Sequence, residues 1–359
     1  MLKNRNPKRS LSYKKEYQNN FDIINSVQDK KLQISHIDLY PNDICNLRCE
    51  FCPTHFGKNN IALEAIPLIA KFNPKVMVIT GGGEPSIWRK DKKKIYDLIM
   101  EIRKHMKTIP LGIMSNGTFL MPTEAVEQLK WLRISVNSFD KEQYEIVHKM
   151  DMFDRVLSNI IEYAKMKLPE LGIGFVYTQR TAKDIVRVIQ TINEKILKNL
   201  SQDNIKKINV QFRPEADPKT YSRHFLSDKL VNELNEQISN LNKFEVDFIN
   251  EKTNMYQVLN NSVFEFKKFS NCHMSLLQLK IDAKGDVYPC AQTANNFTDS
   301  YGNLFSPDFF ANFKKEVKNS YQKHPTKICE NCAQSSINNL YENKDSSNDS
   351  DLNGQNPFF

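Results

Sequence analysis

From residue 32 onward, short apolar runs alternate with longer segments whose apolar positions recur every three to four residues. The runs predict strands and the longer segments predict amphipathic helices. Strands are predicted over 32–39, 76–80, 111–114, 132–136, 172–177 and 207–212. Helices are predicted over 61–72, 92–105, 122–129, between 141 and 166, and over 182–197. Strands that alternate with helices imply a parallel sheet with helices outside it. Right-handed crossovers wind such a series into a partial or full barrel, whose chemistry lies at the C-terminal strand ends. The expected fold is therefore α/β: a partial (β/α)6 TIM-like barrel over 32–215 and a small Cys-rich domain over 269–336. Residues 216–268 read as a connector holding a helix over 228–241 and a short strand over 244–248. Residues 1–31 read as a basic extension. Residues 337–359 read as a disordered tail, too rich in Asn, Ser and Asp to bury anything.

The loop after the first predicted strand carries Cys45, Cys49 and Cys52 as C-x-x-x-C-x-x-C, with Phe51 before the last thiol. Three thiolates close around an iron–sulfur cube and leave its fourth iron without a protein ligand, whereas a structural cluster takes four. Zinc, the plainer alternative, also wants four ligands, with His55 as a candidate fourth. After the second predicted strand comes Thr80-Gly81-Gly82-Gly83-Glu84-Pro85. Consecutive glycines let backbone approach a ligand, and Glu84 offers an acceptor for a cation. The turn lacks the spacing of a phosphate-binding loop, and by itself it is an ordinary β-to-α connection.

A second set of cysteines lies beyond residue 270. Cys272 and Cys290 flank a predicted hairpin over 277–281 and 286–288, closed at Asp282-Ala283-Lys284-Gly285, and Cys329-x-x-Cys332 follows. Four cysteines in two pairs suit either zinc or a fully ligated cluster, and spacing does not choose between them.

Composition narrows the classes. At 359 residues the chain can bury a large core. No apolar run approaches the length of a membrane span, and residues 21–27 are too short and polar for a signal-peptide core, so a cytoplasmic location is expected. Seven cysteines, odd in number and at metal-ligand spacings, argue against a disulfide framework. The net charge of +8 is concentrated: Lys3, Arg5, Lys8, Arg9, Lys14 and Lys15 leave 44 basic against 42 acidic residues in the remainder. A short basic arm is usually a solvated tail, and with no basic-aromatic motif no nucleic-acid partner is expected.

The cysteine triad and the glycine-glutamate turn about thirty residues later together resemble the radical S-adenosylmethionine (SAM) superfamily. The C-x12-G-x4-C opening at Cys272, Gly285 and Cys290 resembles its SPASM and twitch extensions. With no cysteine after Cys332, the chain is similar to the shorter twitch type, in layout like the butirosin aminocyclitol dehydrogenase. The resemblance implies two 4Fe-4S clusters, one SAM-binding on Cys45, Cys49 and Cys52 and one auxiliary on Cys272, Cys290, Cys329 and Cys332. It also implies SAM's amine on Gly81, Gly82, Gly83 and Glu84, its adenine near Phe51, and its ribose near Ser135 and Asn137. The implied chemistry is reductive cleavage of SAM to a 5′-deoxyadenosyl radical that abstracts hydrogen from substrate. Four thiolates leave the auxiliary cluster no open iron, which favours electron transfer. The leading expectation is thus oxidation of a small hydroxylated metabolite such as a sugar or cyclitol. A maturase of a peptide or protein is the alternative, and a non-enzymatic Fe–S or zinc protein a remote one. A flavodoxin or ferredoxin would supply the electron. Arg213, at the end of the sixth strand, is the candidate catalytic residue, to meet a carboxylate or hydroxyl; Asp38, His36 and Tyr177 are the other candidate proton acceptors.

Overall fold

The computed structural model describes residues 14–26, 30–54, 56–217, 219–263, 266 and 268–342. His55, the first thirteen residues and the tail from 343 onward lie outside them. In chain order the strands are β1 (His36–Leu39), β2 (Val76–Ile79), β3 (Arg89–Lys90), β4 (Lys93–Lys94), β5 (Leu111–Ser115), β6 (Trp131–Ser135), β7 (Glu170–Tyr177), β8 (Ile208–Pro214), β9 (Gln278–Ile281), β10 (Asp286–Tyr288) and β11 (Gly302–Asn303). The fold is mixed α/β with a parallel-sheet core, as predicted, and all six predicted barrel strands form, as β1, β2 and β5 to β8. The described residues make two compact units that interleave in sequence: one contains Cys45–Pro53 and those of 112–263, the other those of 14–44, 54–111 and 266–342.

In the first unit β5, β6, β7 and β8 run parallel in that order, with Ile113 opposite Leu132, Ile134 opposite Ile173 and Ile173 opposite Val210. Their side chains separate with period two. Ile113, Leu132, Ile134, Ile173, Phe175, Val210 and Phe212 are buried, while Met114, Arg133, Ser135, Gly174, Gln211 and Arg213 are half-exposed. A parallel sheet covered on both faces would be apolar throughout. This one instead keeps a polar face. The helices Phe153–Lys165 and Ile185–Lys195 follow β6 and β7 and bury Val156, Ile160, Val188 and Ile192.

In the second unit β1 pairs in parallel with β2 on one side and with β9 on the other, His36 lying opposite both Val76 and Gln278. β10 returns antiparallel on β9, as the predicted hairpin requires, and β11 pairs with β10. Gly285, at φ +90, closes the turn. The Cys-rich hairpin thereby extends the barrel's first strand, a long-range pairing that local pattern does not encode.

Three expectations change. The basic arm over 1–15, read as a solvated tail, lies almost wholly outside the described residues, and the remainder of the extension, for which no element was predicted, forms the helix Lys14–Asn25. Tyr17 bonds His273 Nδ1 at 2.7 Å and stacks on Tyr341 at 4.3 Å, while Asn20 donates to the Leu276 carbonyl at 2.7 Å. The predicted strand over 244–248 is the helix Lys243–Lys252: Asn242 and Glu245 form a reciprocal capping box, which overrides the alternating Phe244, Val246 and Phe248. The polar tail begins later than residue 337, because Ser335–Glu342 is helical and Asn338 accepts the Met274 N–H at 2.9 Å.

Candidate active site

Cys45, Cys49 and Cys52 lie on one loop of the first unit, all half-buried. Main-chain bonds fix the loop independently of the sulfurs: Arg48 N–H donates to the His148 carbonyl at 3.1 Å and Glu50 N–H to that of Val147 at 3.2 Å. Side chains beyond the C-terminal ends of β5 and β7 complete the anchorage. Asn116 donates to Asn46 Oδ1 at 2.9 Å and lies 3.9 Å from Cys45 Sγ; Asn46 donates to Thr118 at 3.0 Å; Arg180 pairs with Glu50 at 2.6 Å. Within this unit the triad loop is thus anchored from beyond strand ends.

His148 is the residue that sequence reasoning missed. Its Nδ1 is 3.0 Å from Cys49 Sγ and its Nε2 is 2.8 Å from the Val136 carbonyl. A carbonyl only accepts, so Nε2 carries the proton and Nδ1 faces the thiol. Burial pushes the imidazole down to about 4, so it is neutral. Burial, reinforced by the neighbouring Cys52 and Cys45, pushes the Cys49 thiol up to about 12. The only local signal was a histidine at the end of the helix Lys141–His148, a place where cations are commonly found for dipole reasons alone.

The glycine-glutamate turn follows β2 in the second unit. Gly83 N–H donates to the Asn42 carbonyl and Glu84 N–H to that of Ile44, both at 2.7 Å. A Cβ on Gly83 would sit 2.1 Å from the Ile44 oxygen, so this backbone approach admits only glycine. The visible demand for that glycine is thus the chain's own loop after β1. Buried Glu84 accepts the Ser86 N–H at 2.9 Å and caps the 3-10 turn Pro85–Ile87. A carboxylate offers about four lone-pair positions, so one cap does not exhaust it. Gly83→Ala is expected to cost about 1–3 kcal/mol through forced backbone movement, read as a lower denaturation midpoint.

The remaining four cysteines also gather within the second unit. Buried Cys272 is raised well above the usual thiol range, first by desolvation and then by Cys332, Cys290 and Cys329. Cys332 is pushed up to about 12 by desolvation and by Cys290 and Cys329. None of the seven cysteines forms a disulfide. Among the described residues, no group of three or more His, Cys, Asp and Glu is drawn together as a single-ion site. The fit to clusters rests on the donors around sulfur: Leu47 N–H points at Cys45 Sγ and Gln334 N–H at Cys332 Sγ, each at 3.4 Å. Such donors stabilise a coordinated thiolate and tune an iron–sulfur centre. Both sets fit the groups expected of them.

Of the other predicted residues, Ser135 lies on the polar sheet face and Phe51 is half-buried beside Cys52. Asn137 adopts a left-handed φ of +56, and its carboxamide oxygen accepts the Val176 N–H at 2.9 Å, so that oxygen is committed to the sheet. Arg213 donates to Gln211 Oε1 at 2.7 Å. The expected proton acceptors fare poorly. Asp38 is buried with Lys280 and, at 2.5 Å, with His36; against the cost of burial, Lys280 and then the imidazole hold it down to about 2. Burial pushes the Tyr177 hydroxyl above its ordinary range.

The Radical SAM superfamily description matches residues 39–196, which hold the triad, the glycine-glutamate turn and the strand ends that anchor them. Among curated proteins, the chain is 24% identical over 180 residues to a probable GTP 3′,8-cyclase of Sulfurisphaera tokodaii, covering 46% of the chain and 51% of the relative. The chain thus spans about half the length of that curated relative. Among solved structures it resembles Streptococcus suis SuiB bound to the precursor peptide SuiA, at TM-score 0.59 and 17% identity over 96% of this chain and 82% of that one. It also resembles native anSMEcpe with bound AdoMet, at TM-score 0.54 and 19% identity over 83% of this chain and 87% of that one. These likenesses are of fold alone: mixed α/β with a parallel-sheet core. Among the described residues no helix is long and apolar enough to cross a membrane.

Proposed function

We propose that this chain cleaves SAM reductively and takes a hydrogen atom from its substrate, and that the net reaction is oxidation of a small hydroxylated metabolite. The observation that carries the reading is the division of the cysteines into a loop of three in one unit and a convergent four in the other. When bound, a three-thiolate cluster supplies the electron that cleaves SAM, and a four-thiolate cluster supplies an acceptor for the substrate's electron. The protein's own work is positional. Asn116, Asn46 and Thr118 hold the triad loop, Glu84 offers carboxylate oxygen to SAM's amine, and Ser135 presents a hydroxyl from the polar face. A cytoplasmic location and a flavodoxin- or ferredoxin-type donor belong to the same proposal. Maturation of a peptide is the second reading, supported by fold likeness to peptide-bound SuiB over 96% of the chain.

The test is anaerobic reconstitution, reduction with dithionite, and chromatography for methionine and 5′-deoxyadenosine, both expected even without substrate. Absence of both from iron-loaded protein sinks the proposal. Glu84→Gln keeps a cap acceptor and removes the charge. Losing a charge-assisted bond to the SAM amine costs about 1.5–3 kcal/mol, so SAM affinity should fall about ten- to hundred-fold while the melting temperature stays close to wild type. Unchanged SAM affinity removes Glu84 from the site.

A further inference from the structure

The polar sheet face holds a cluster of cations that neither clusters nor SAM account for. Arg133 on β6 and Arg213 on β8 both donate to one oxygen, Gln211 Oε1, at 3.0 and 2.7 Å. β7 lies between those strands, and its residues opposite Arg133 and Gln211 are Gly172 and Gly174. A Cβ on Gly172 would lie 3.1 Å from Arg133 Cγ, and one on Gly174 would lie 3.6 Å from its Cδ and Nε. Two glycines on one strand face therefore clear the path by which the Arg133 guanidinium crosses β7 to reach β8. Arg223 completes the group from the loop after β8, where its Nη1 donates to the Pro214 carbonyl at 3.0 Å. The charges acting on Arg213 are those of Arg133 and Arg223, both of its own sign, and together with burial they disfavour its protonated form.

Arg133 Nη2 also reaches Met114 Sδ at 2.8 Å. A guanidinium fork matches two oxyanion oxygens and binds them about twice as strongly as a neutral acceptor. Arg133, Arg213, Arg223 and Gln211 are each only partly accessible. We propose that Arg133, Arg213 and Arg223 bind an oxyanion of the substrate, a carboxylate or a phosphate, and so anchor it on the polar face of the sheet. The proposal rests on the radical SAM reading only for calling that anion's carrier the substrate. It makes Arg213 a binding residue and removes it from the list of proton acceptors.

The experiment uses the full, cluster-loaded chain with inorganic phosphate and acetate as probes, titrated by calorimetry at constant ionic strength with and without saturating SAM. Saturable binding of either probe is expected in both conditions, and the tighter of the two identifies the group. Arg213→Gln and, independently, Arg223→Gln should each weaken it at least ten-fold while the circular dichroism spectrum and SAM affinity stay at wild type. Arg213→Lys should fall between, because charge survives and the fork does not. Three results overturn the proposal: no saturable binding to a folded protein, binding unchanged in both glutamine variants, or competition between probe and SAM, which would assign the arginines to SAM's own carboxylate. A chain that binds the probe but yields no deoxyadenosine sinks the catalytic reading and leaves an oxyanion site.

Discussion

Changing Cys45, Cys49 and Cys52 together to Ala should abolish 5′-deoxyadenosine formation and remove about half of the iron from reconstituted protein, from about eight to about four atoms per chain. The reasoning combines ligand count with placement. Three thiols in one unit leave an iron open to SAM, and the four thiols of the other unit share no residue with them. The triple variant should fold, because its loop is held by Arg48 and Glu50 N–H bonds and by Asn46 with Asn116 and Thr118, none of which involves sulfur as its anchor. The measurements are iron per chain, visible absorption and circular dichroism, read together. Full iron in the triple variant contradicts the assignment, and so does tightly bound zinc at Cys272, Cys290, Cys329 and Cys332 in anaerobically purified protein. The complementary change, Cys329→Ala, is less clean, since metal binding in a small domain is often folding free energy.

How legible was this in the sequence? The strands were, because each buries apolar residues, as a run from Val76 to Ile79 or at alternate positions such as Ile208, Val210 and Phe212. The thiol sets were as well, since ligand spacing is a local property. Arg133 was not singled out: within a strand a lone arginine at an alternate position reads as an ordinary solvent-facing residue. Only the register with Gly172 and Asn209 shows that it crosses a glycine-cleared strand. His148 was passed over because its contact with Cys49 spans ninety-nine residues. The helix Lys14–Asn25 was lost to the charge of its surroundings, although Tyr17, Asn20 and Ile24 share a face at helical spacing. In each case the missing information was a partner distant in the chain.

The buried set His36, Asp38 and Lys280 follows the same rule, and its removal should produce the second large effect. It spans the parallel pairing of β1 with β9, Asp38 lying directly opposite Lys280. Side-chain exposure is 3% for His36 and Lys280 and 12% for Asp38. Asp38→Ala removes the carboxylate and leaves an ammonium in the sheet interior, a change that costs about 3–5 kcal/mol when a buried pair is broken from one side. Asp38→Leu combined with Lys280→Met removes both charges and should recover most of that loss, because desolvation of the pair disappears with it. Denaturant titrations of the three proteins decide the matter, and a double variant as unstable as Asp38→Ala would contradict the pairing. The pH dependence has a defined sign. Lys280 and His36 hold the folded carboxyl at about 2, below its ordinary 3.8, so its contribution is complete above that ordinary value and is lost as pH falls toward 2. The wild-type protein should therefore lose stability between about pH 4 and pH 2 more steeply than the double variant. A carboxylate held this firmly in its ionised form is a poor proton acceptor near neutral pH. The loss in Asp38→Ala should accordingly appear in stability and in occupancy of the auxiliary cysteines, with SAM cleavage per folded, iron-loaded molecule unchanged.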